Sequence, residues 1–206
     1  MLNALRFVKT PALLRAVYGK CIWKINTREK IIYLTFDDGP VPEATSFVLD
    51  ELNKWSAKAT FFCIGKNVAA HPELFERIKL ENHTIGNHTY DHLNGWNCPD
   101  TTYYENVQQC SDLFVSDLFR PPYGKLKPSQ YRHLKQQYSI VMWDVLSYDF
   151  DTNVSAEKVW WNVMKHTGGG SIVVFHDSLK ALPHLRFVLP RTLEHFTKTG
   201  YKFKPL

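Results

Sequence analysis

Short apolar runs of strand length alternate along this chain with longer amphipathic stretches, and this alternation limits its fold more than any other feature. The strand-like runs lie at 31–35, 59–63, 83–86, 118–120, 140–143, 171–175 and 201–203. The helical patterns lie at 42–55, 72–78, 101–115 and 155–164. Strands that alternate with helices form right-handed βαβ units around a parallel sheet. We therefore predict an α/β fold whose seven or so strands form a barrel slightly short of the usual eight.

The composition is that of one globular unit. Hydrophobic residues make up 44% of the 206 residues and charged residues 22%, which excludes a disordered, collagen-like or disulfide-scaffold chain. The longest apolar runs, such as 31–34 and 172–175, are far shorter than the ~18 residues that a membrane-spanning helix needs. We expect a single main domain and no transmembrane segment.

The positive charge of the chain is concentrated at its N-terminus. Residues 1–28 contain no acidic residue and six basic ones, namely Arg6, Lys9, Arg15, Lys20, Lys24 and Arg28. Subtracting this +6 from the net charge of +5 leaves residues 29–206 at −1. A body so close to neutral argues against a nucleic-acid-binding protein.

Residues 1–29 are predicted to form a basic helical extension that packs on a main domain of residues 30–206. Thr10-Pro11 is typical of an N-cap followed by proline at the first helical position. One face of the predicted helix carries Leu13, Leu14, Val17, Tyr18, Cys21 and Ile22. Basic residues interrupt the short apolar stretches, so the segment does not resemble a secretory signal. We expect a cytoplasmic protein, with peripheral contact of this helix with a membrane as the alternative.

The four cysteines show no spacing typical of a metal site or a redox pair. Cys21, Cys63, Cys98 and Cys110 form no C-x-x-C motif. Without a secretory signal, the expected state is reduced. We interpret them as thiols without a catalytic role.

Polar residues that could carry chemistry follow the first and third predicted strands. Asp37 and Asp38 precede a Gly-Pro pair, so both leave the strand at its C-terminal end, although an ordinary Asp-Gly turn has the same pattern. His88 and His92 would share one face if their backbone were helical. Together with Asp38 they would supply three metal ligands and leave positions open for water or substrate, which is typical of catalytic metal sites.

Three further polar clusters follow later strands, at 120–124, 144–149 and 174–176. Barrel enzymes assemble their sites at the C-terminal ends of their strands. Five such clusters at five successive strand ends therefore indicate an active site rather than structural accident. The remaining histidines are interpreted as structural or solvated, namely His71, His83, His133, His166, His184 and His195.

In their order along the chain, these clusters resemble the five motifs of the NodB-type polysaccharide deacetylases of carbohydrate esterase family 4. The motifs are T-F-D-D-G-P at 35–40, H-T-x-x-H at 88–92, R-P-P-Y-G at 120–124, D-x-x-S-x-D at 144–149 and V-F-H at 174–176. The resemblance covers roughly residues 30–206. It implies a distorted (β/α)7 barrel and makes residues 30–206 the catalytic domain.

The resemblance also implies a role for each motif residue. The metal ligands are Asp38, His88 and His92; the general base is Asp37, paired with Arg120; the general acid is His176, with Asp149 as its carboxylate partner; the oxyanion donor is the backbone N–H of Tyr123. The substrate-binding residues are Tyr123, Trp143, Phe150 and Val174. Zinc is the expected metal, and Co²⁺ or Ni²⁺ would also suit these ligands.

The chain departs from the common family pattern in the wall of the pocket. Phe150 stands where the family commonly has tryptophan, Leu146 where it commonly has aspartate, and Val174 where it usually has leucine. These changes make the wall more apolar, so neutral repacking and an altered acyl or sugar preference both stay open. The candidate stacking surfaces for a sugar are Tyr90, Trp96, Tyr123 and Phe150.

The function that the resemblance implies is metal-dependent hydrolysis of N-acetyl groups on amino-sugar glycans of the chitooligosaccharide or peptidoglycan type. The same site could instead act on O-acetyl esters or small acylated amines. A non-catalytic carbohydrate-binding relative is disfavoured because every catalytic residue is present. A non-haem iron oxygenase also uses two histidines and one carboxylate, but it would leave Asp37, Arg120 and His176 without a task. We expect a glycan partner, no nucleic acid and a monomer.

Overall fold

The structure of the protein, a computed structural model, describes residues 7–206. Arg6 lies outside the described residues, as do the side chains of Leu13, Leu14 and Val17, which were predicted on the apolar face of the N-terminal helix. In the described range, no helix has both the length and the apolar character that crossing a membrane requires. All four cysteines are free thiols.

Strands and helices alternate through most of the described chain. The strands are β1 (Ile31–Asp37), β2 (Thr60–Cys63), β3 (Thr84–Asn87), β4 (Leu118–Phe119), β5 (Ser139–Ile140), β6 (Val145–Leu146), β7 (Ile172–His176) and β8 (Lys202–Phe203). The helices are α1 (Ala12–Val17), α2 (Pro42–Lys54), α3 (Gly65–Ala70), α4 (Pro72–Leu80), α5 (Asp100–Ser111), α6 (Pro128–Leu134), α7 (Ala156–His166) and α8 (Leu182–Lys198). Two short 3₁₀ turns lie at Gly95–Asn97 and Pro122–Gly124.

The strands form one parallel sheet that curls into a half-barrel. Their order is β5-β4-β3-β2-β1-β7-β6, and β8 pairs with the start of β1. The central strand β1 has partners on both sides, because Thr35 pairs with Thr60 of β2 and with Val174 of β7. The predicted α/β class and the distorted (β/α)7 barrel are confirmed. The C-terminal ends of β1, β3 and β7 meet at the mouth of the half-barrel.

Two elements at the end of the sheet differ from the prediction. The predicted strand 140–143 ends at Ile140, and residues 141–144 form a turn before a separate, unpredicted strand, β6. The apolar run alone could not reveal this turn, because a short continuous apolar run does not mark where a buried strand ends. The turn places Trp143 at the mouth of the half-barrel rather than within a strand.

The helices were predicted less completely than the strands. Helix α8, the longest helix of the described residues, was not predicted, and its sequence contains two prolines, Pro183 and Pro190, that argue against a helix. Pro183 lies in its first turn, where proline is tolerated. The helix also buries apolar residues at helical spacing, among them Leu185, Val188, Leu189 and Leu193. This burial stabilises the helix despite Pro190.

A stack of aromatic rings lies beneath the central strands. The ring of Phe36 in β1 stacks on Phe61 of β2 and on Phe175 of β7, at centroid distances of 5.2 and 5.9 Å. Successive side chains of a strand point to opposite faces of the sheet. The burial of Phe36 among these rings therefore directs its neighbours Thr35 and Asp37 to the other face, towards the interior of the half-barrel.

The N-terminal segment covers the outer strands of the sheet. Lys9 forms an antiparallel bridge with Val145 of β6, and Ile22 forms a parallel bridge with Val141. Helix α1 is shorter than predicted, so Tyr18, Cys21 and Ile22 lie beyond its end rather than on its apolar face. The backbone of Ile22 is used for pairing instead, because the edge beside β5 offers unpaired N–H and C=O groups.

Candidate metal and catalytic site

A cavity of about 510 Å³ opens at the mouth of the half-barrel. This volume is in the range of small-molecule sites. The predicted site residues that line it are Asp37, Asp38, His88, His92, Tyr123, Trp143, Phe150, Val174 and His176. The two predicted residues that do not line it, Arg120 and Asp149, are fully buried behind it. The fold thus gathers all the residues that were predicted from the five motifs.

Asp38, His88 and His92 form a set of potential metal ligands. Their ligand atoms lie within 4.8 Å of one another, and Oδ1 of Asp38 is 3.3 Å from Nε2 of His92 and 3.9 Å from Nε2 of His88. This oxygen is buried and has no hydrogen-bond partner within residues 7–206. A buried carboxylate oxygen without a partner is costly unless a cation satisfies it. The three residues therefore fit a divalent metal ion.

The histidines of this set favour the form that binds metals. Burial lowers the pKa of His88 to about 4, despite the opposing influence of Asp37 and Asp38. Burial also lowers the pKa of His92. His88 is therefore neutral near pH 7, and neutral imidazole is the metal ligand. Nδ1 of His88 lies 2.7 Å from the carbonyl oxygen of Arg120, so it carries the proton and leaves Nε2 available.

The backbone between His88 and His92 is a loop and not a helix. The helical backbone that the i, i+4 spacing of these histidines assumed is therefore wrong. Thr89 and His92 both adopt the left-handed conformation, with φ of 64° and 57°. Asn106 on α5 fixes this loop, because its Oδ1 accepts hydrogen bonds at 2.9 Å from the backbone N–H groups of Tyr90 and Asp91. The histidines therefore approach one another through a loop that α5 holds.

Asp37 forms a buried ion pair with Arg120. Nη1 of Arg120 donates to Oδ1 of Asp37 at 2.7 Å and to Oγ1 of Thr35 at 2.8 Å, and Nη2 donates to the carbonyl oxygen of Met142 at 2.9 Å. The guanidinium also lies over the ring of Phe62, 4.1 Å from its centroid. Burial alone would raise the pKa of Asp37, but Arg120 and nearby histidines outweigh it and lower that pKa. Asp37 is therefore ionised near neutral pH.

On another side of the cavity, His176 pairs with Asp149. Nδ1 of His176 lies 2.8 Å from Oδ1 of Asp149, and the backbone N–H of His176 donates to Oδ2 at 2.7 Å. Burial by itself lowers the pKa of His176, but the charge and hydrogen bond of Asp149, with the charges of Asp38 and Asp37, together raise it to about 9. Ser147 donates to Asp149 at 3.0 Å and fixes its position. His176 therefore carries a proton at neutral pH.

Tyr123 and Trp143 form one wall of the cavity. Tyr123 has a φ of 60°, an uncommon conformation for a residue with a side chain, and its ring lies 4.6 Å from that of His92. The next residue, Gly124, is also left-handed, and a Cβ there would come within 2.5 Å of the Trp143 ring. Trp143 therefore packs directly on the turn that carries Tyr123.

The rest of the lining combines apolar and basic side chains. Phe150 packs edge-on against His176 at a centroid distance of 4.9 Å, and Leu146 lines the same cavity. Sequence reasoning missed Lys125 and Lys180, which also line it. Two candidate stacking residues lie elsewhere: Tyr90 packs against the core, and Trp96 is an exposed residue that is not part of the lining.

Sequence reasoning also missed Asp177, although it directly follows His176. Its buried carboxylate accepts hydrogen bonds from the backbone N–H of Gly39 at 3.1 Å and from Oγ1 of Thr45 at 2.6 Å. Burial raises the pKa of Asp177 to about 8. A Cβ on Gly39 would lie only 2.0 Å from Asp177, so glycine is required there. Asp177 thus holds the loop that follows Asp38.

The chain is similar to known deacetylases in sequence and in fold. The family model described as polysaccharide deacetylase matches residues 24–142. A peptidoglycan-N-acetylglucosamine deacetylase of Bacillus cereus is 35% identical over 192 residues, covering 90% of each chain. A chitooligosaccharide deacetylase of Azorhizobium caulinodans is 32% identical and covers 89% of this chain and 96% of its own. A solved peptidoglycan N-acetylglucosamine deacetylase superposes with a TM-score of 0.87 at 29% identity, covering 96% of this chain and 95% of that one.

Proposed function

The chain belongs to the polysaccharide deacetylase family, and from this membership we propose that it hydrolyses N-acetyl groups of amino-sugar glycans with the help of a divalent metal ion. One observation carries the proposal: a single cavity joins three metal-ligand atoms, an ionised carboxylate and a protonated histidine. Amide hydrolysis needs these groups, because water must lose a proton and the leaving amine must gain one. The names of the relatives support amino-sugar glycans as the substrate class.

The proposed metal ligands are Asp38, His88 and His92, and the proposed metal is Zn²⁺, with Co²⁺ or Ni²⁺ as alternatives. Zinc suits a set of two imidazole nitrogens and one carboxylate oxygen with open positions. When bound, such an ion supplies Lewis acidity that polarises a carbonyl oxygen and acidifies a water molecule. The partnerless buried Oδ1 of Asp38 supports a cation at this point.

In this proposal Asp37 is the general base. It accepts a proton from the water that adds to the carbonyl carbon of the acetyl group. The Arg120 guanidinium keeps Asp37 ionised and fixes its orientation through the 2.7 Å hydrogen bond. The position of Asp37 directly before Asp38 places base and ligand side by side at the end of β1. Asp37 can therefore take up a proton beside the metal ligands.

His176 is the proposed general acid, and the backbone N–H of Tyr123 is the proposed donor to the developing oxyanion. An amine leaves readily only when it is protonated, so His176 donates its proton to the nitrogen as the C–N bond breaks. Acetate and the free amino sugar are the products. Asp149 keeps His176 protonated before this step, which its raised pKa supports. A donor aimed at the oxyanion contributes because negative charge develops there only during the reaction.

The proposed substrate-binding residues are Tyr123, Trp143, Phe150 and Val174. All four line the cavity. Aromatic side chains offer flat apolar surfaces to a sugar ring, and Val174 lies beside His176 on β7 where an acetyl methyl group would be accommodated.

We further propose that residues 30–206 form the catalytic domain and that residues 1–29 form an extension packed on it. The bridges of Lys9 and Ile22 with the barrel support this division. The monomeric state, the cytoplasmic location and the alternative contact of the extension with a membrane stay predictions.

An acetate-release panel tests the function. The purified protein is stripped with a chelator, reconstituted with Zn²⁺, Co²⁺ or Ni²⁺, and offered chitooligosaccharides, peptidoglycan fragments and acetylxylan. We expect acetate from an N-acetylated glycan only after reconstitution. Acetate from acetylxylan alone would contradict N-deacetylation, and the absence of acetate with every metal and substrate would contradict the proposal as a whole.

A further inference from the structure

The turn at residues 141–144 links the N-terminal segment to the catalytic cavity. It lies between β5 and β6, the two ends of the curled sheet, and carries Trp143 into the cavity wall. Strands β5 and β6 do not pair with each other, and the sheet holds this turn only at its two ends, where the N–H of Val141 donates to the carbonyl oxygen of Phe119 at 2.8 Å and the N–H of Asp144 donates to that of Ile172 at 3.0 Å. Between these ends, Met142 and Trp143 make their backbone hydrogen bonds to groups outside the sheet.

On its outer side, the turn is held by three residues of the N-terminal segment. The backbone of Ile22 pairs with the strand end, because Met142 N–H donates to the carbonyl oxygen of Ile22 at 2.8 Å. Thr10 Oγ1 donates to the carbonyl oxygen of Trp143 at 2.8 Å. Arg15 Nη2 donates to Oδ1 of Asp144 at 2.5 Å, while its Nε donates to the carbonyl oxygen of Thr10 at 3.2 Å.

On its inner side, the same turn contacts the catalytic groups. Arg120 donates to the carbonyl oxygens of Val141 at 3.3 Å and Met142 at 2.9 Å, and it also holds Asp37. The Trp143 ring packs on Gly124, next to Tyr123. A displacement of the turn would therefore move the cavity wall and remove acceptors from the guanidinium that orients the proposed base.

We propose that Arg15 and Thr10 are positioning residues for the active site and act through the 141–144 turn. This inference rests on the proposed function for its effect on catalysis. Asp144 is fully buried, and its remaining partners are Ser171 Oγ at 2.7 Å and the half-exposed Lys9 ammonium at 3.9 Å. Without Arg15, most of the positive charge that balances the buried Asp144 carboxylate is lost. We expect the turn to rearrange so that this carboxylate reaches solvent, because a buried charge without a partner is strongly destabilising.

Arg15→Met is the main test, because it removes the charge and keeps much of the length. We expect kcat/KM for acetate release to fall about tenfold in the metal-loaded enzyme, through a lower kcat and a higher KM, since small displacements of positioned groups are costly. Thr10→Val, which removes one hydrogen bond to the Trp143 carbonyl, should lower kcat/KM about threefold. Arg15→Lys should retain part of the activity lost in Arg15→Met.

Two controls separate positioning from general destabilisation. Arg28→Met removes an exposed arginine of the same segment that forms no ion pair within the described residues, and it should leave kcat/KM unchanged. Leu193→Ala destabilises the core at α8 without touching the turn, and below its unfolding temperature it should keep its kcat/KM.

Hydrogen exchange gives a readout that does not depend on activity. In Arg15→Met we expect faster exchange at 141–144 and at 120–124, with no change in β1 to β3. If the wild-type enzyme releases acetate and Arg15→Met matches it, the inference is overturned while the proposed function stands. If the wild type releases no acetate, the proposed function fails. The hydrogen-exchange result is independent of activity: unchanged exchange at 120–124 in Arg15→Met would overturn the link from the N-terminal segment to the cavity.

Discussion

The proposed catalytic charges and the wall residues line the same cavity but are held in different ways. Asp37 ends β1, whose last three residues, Thr35 to Asp37, pair with β2 on one side and with β7 on the other. Trp143, by contrast, lies in a turn, and Leu146 lies in a strand of two residues at the end of the sheet. The paired strands thus hold Asp37 and His176 directly and His88 within one residue of a strand end, whereas we infer that the position of the wall depends in part on contacts from the N-terminal segment.

This difference has a consequence for substitution. We expect groups at the ends of the paired strands to stay in place when a neighbour changes, so that the main effect of their replacement on activity is the loss of one chemical step. We expect wall residues at the end of the sheet to shift when they are replaced, so that their replacement lowers kcat/KM only in part. We therefore expect effects that decline from the metal ligands through the proton-transfer residues to the wall.

His88→Ala should have the largest effect, with loss of both bound metal and activity. His88 is fixed at Nδ1 by the carbonyl oxygen of Arg120, and removal of its Nε2 leaves two potential ligands. Metal content after dialysis and acetate release are the measurements. His133→Ala is the matched control, because that ring stacks on Tyr104 and does not line the cavity. Full metal content in His88→Ala would remove His88 from the ligand set.

Asp37→Asn should keep the metal and lower kcat by about 10³-fold, within the usual range for loss of a general base. The side chain keeps its shape but cannot accept the proton. It also leaves Arg120 without its anionic partner, so the thermal unfolding temperature should fall. Asp50→Asn, in an exposed pair with Arg77, is the control. Normal turnover in Asp37→Asn would exclude Asp37 as the base.

Asp149→Asn should move the alkaline limb of the pH profile. In the proposed mechanism His176 acts in its protonated form, and its pKa of about 9 predicts that kcat/KM falls as the pH rises through that value. Removal of the Asp149 charge leaves burial, which lowers the pKa of His176, opposed only by the smaller influences of the Asp38 and Asp37 carboxylates. The alkaline limb should therefore move down towards neutral pH, with about a tenfold loss of kcat/KM at pH 8. Glu157→Gln, at an exposed site, is the control and should leave the alkaline limb near pH 9. An alkaline limb that does not move in Asp149→Asn would contradict the pairing of Asp149 with His176.

Much of this site could be predicted from the sequence because its residues directly follow strands. A carboxylate or histidine at the end of an apolar run reaches the mouth of a barrel by topology alone, as Asp37 and His176 do. The residues that hold them were harder to find. Asn106 lies in the middle of α5, and only its polar side chain on a buried helical face marked it.

The partners of Asp144 and Asp177 could not be predicted from local patterns. Arg15 meets Asp144 across 129 positions of sequence, and Thr45 meets Asp177 across 132. Such pairs depend on how the ends of the chain close against the sheet, which periodicity does not encode. The turn at 141–144 was missed for the related reason that its bonds come from the N-terminal segment and from Arg120.

Phe150→Trp should have the smallest effect and bears most directly on the wall. Phe150 lines the cavity and packs edge-on against His176, and the resemblance to the NodB-type family implies tryptophan as the common residue at this position. A larger ring can be accommodated by a shift of its neighbours at the open cavity, so we expect kcat/KM to change by less than about threefold. The ratio of kcat/KM between chitooligosaccharides and peptidoglycan fragments should stay constant. A change of that ratio by more than about tenfold would show that the wall selects the sugar, because such a change exceeds what repacking of an apolar pocket accounts for.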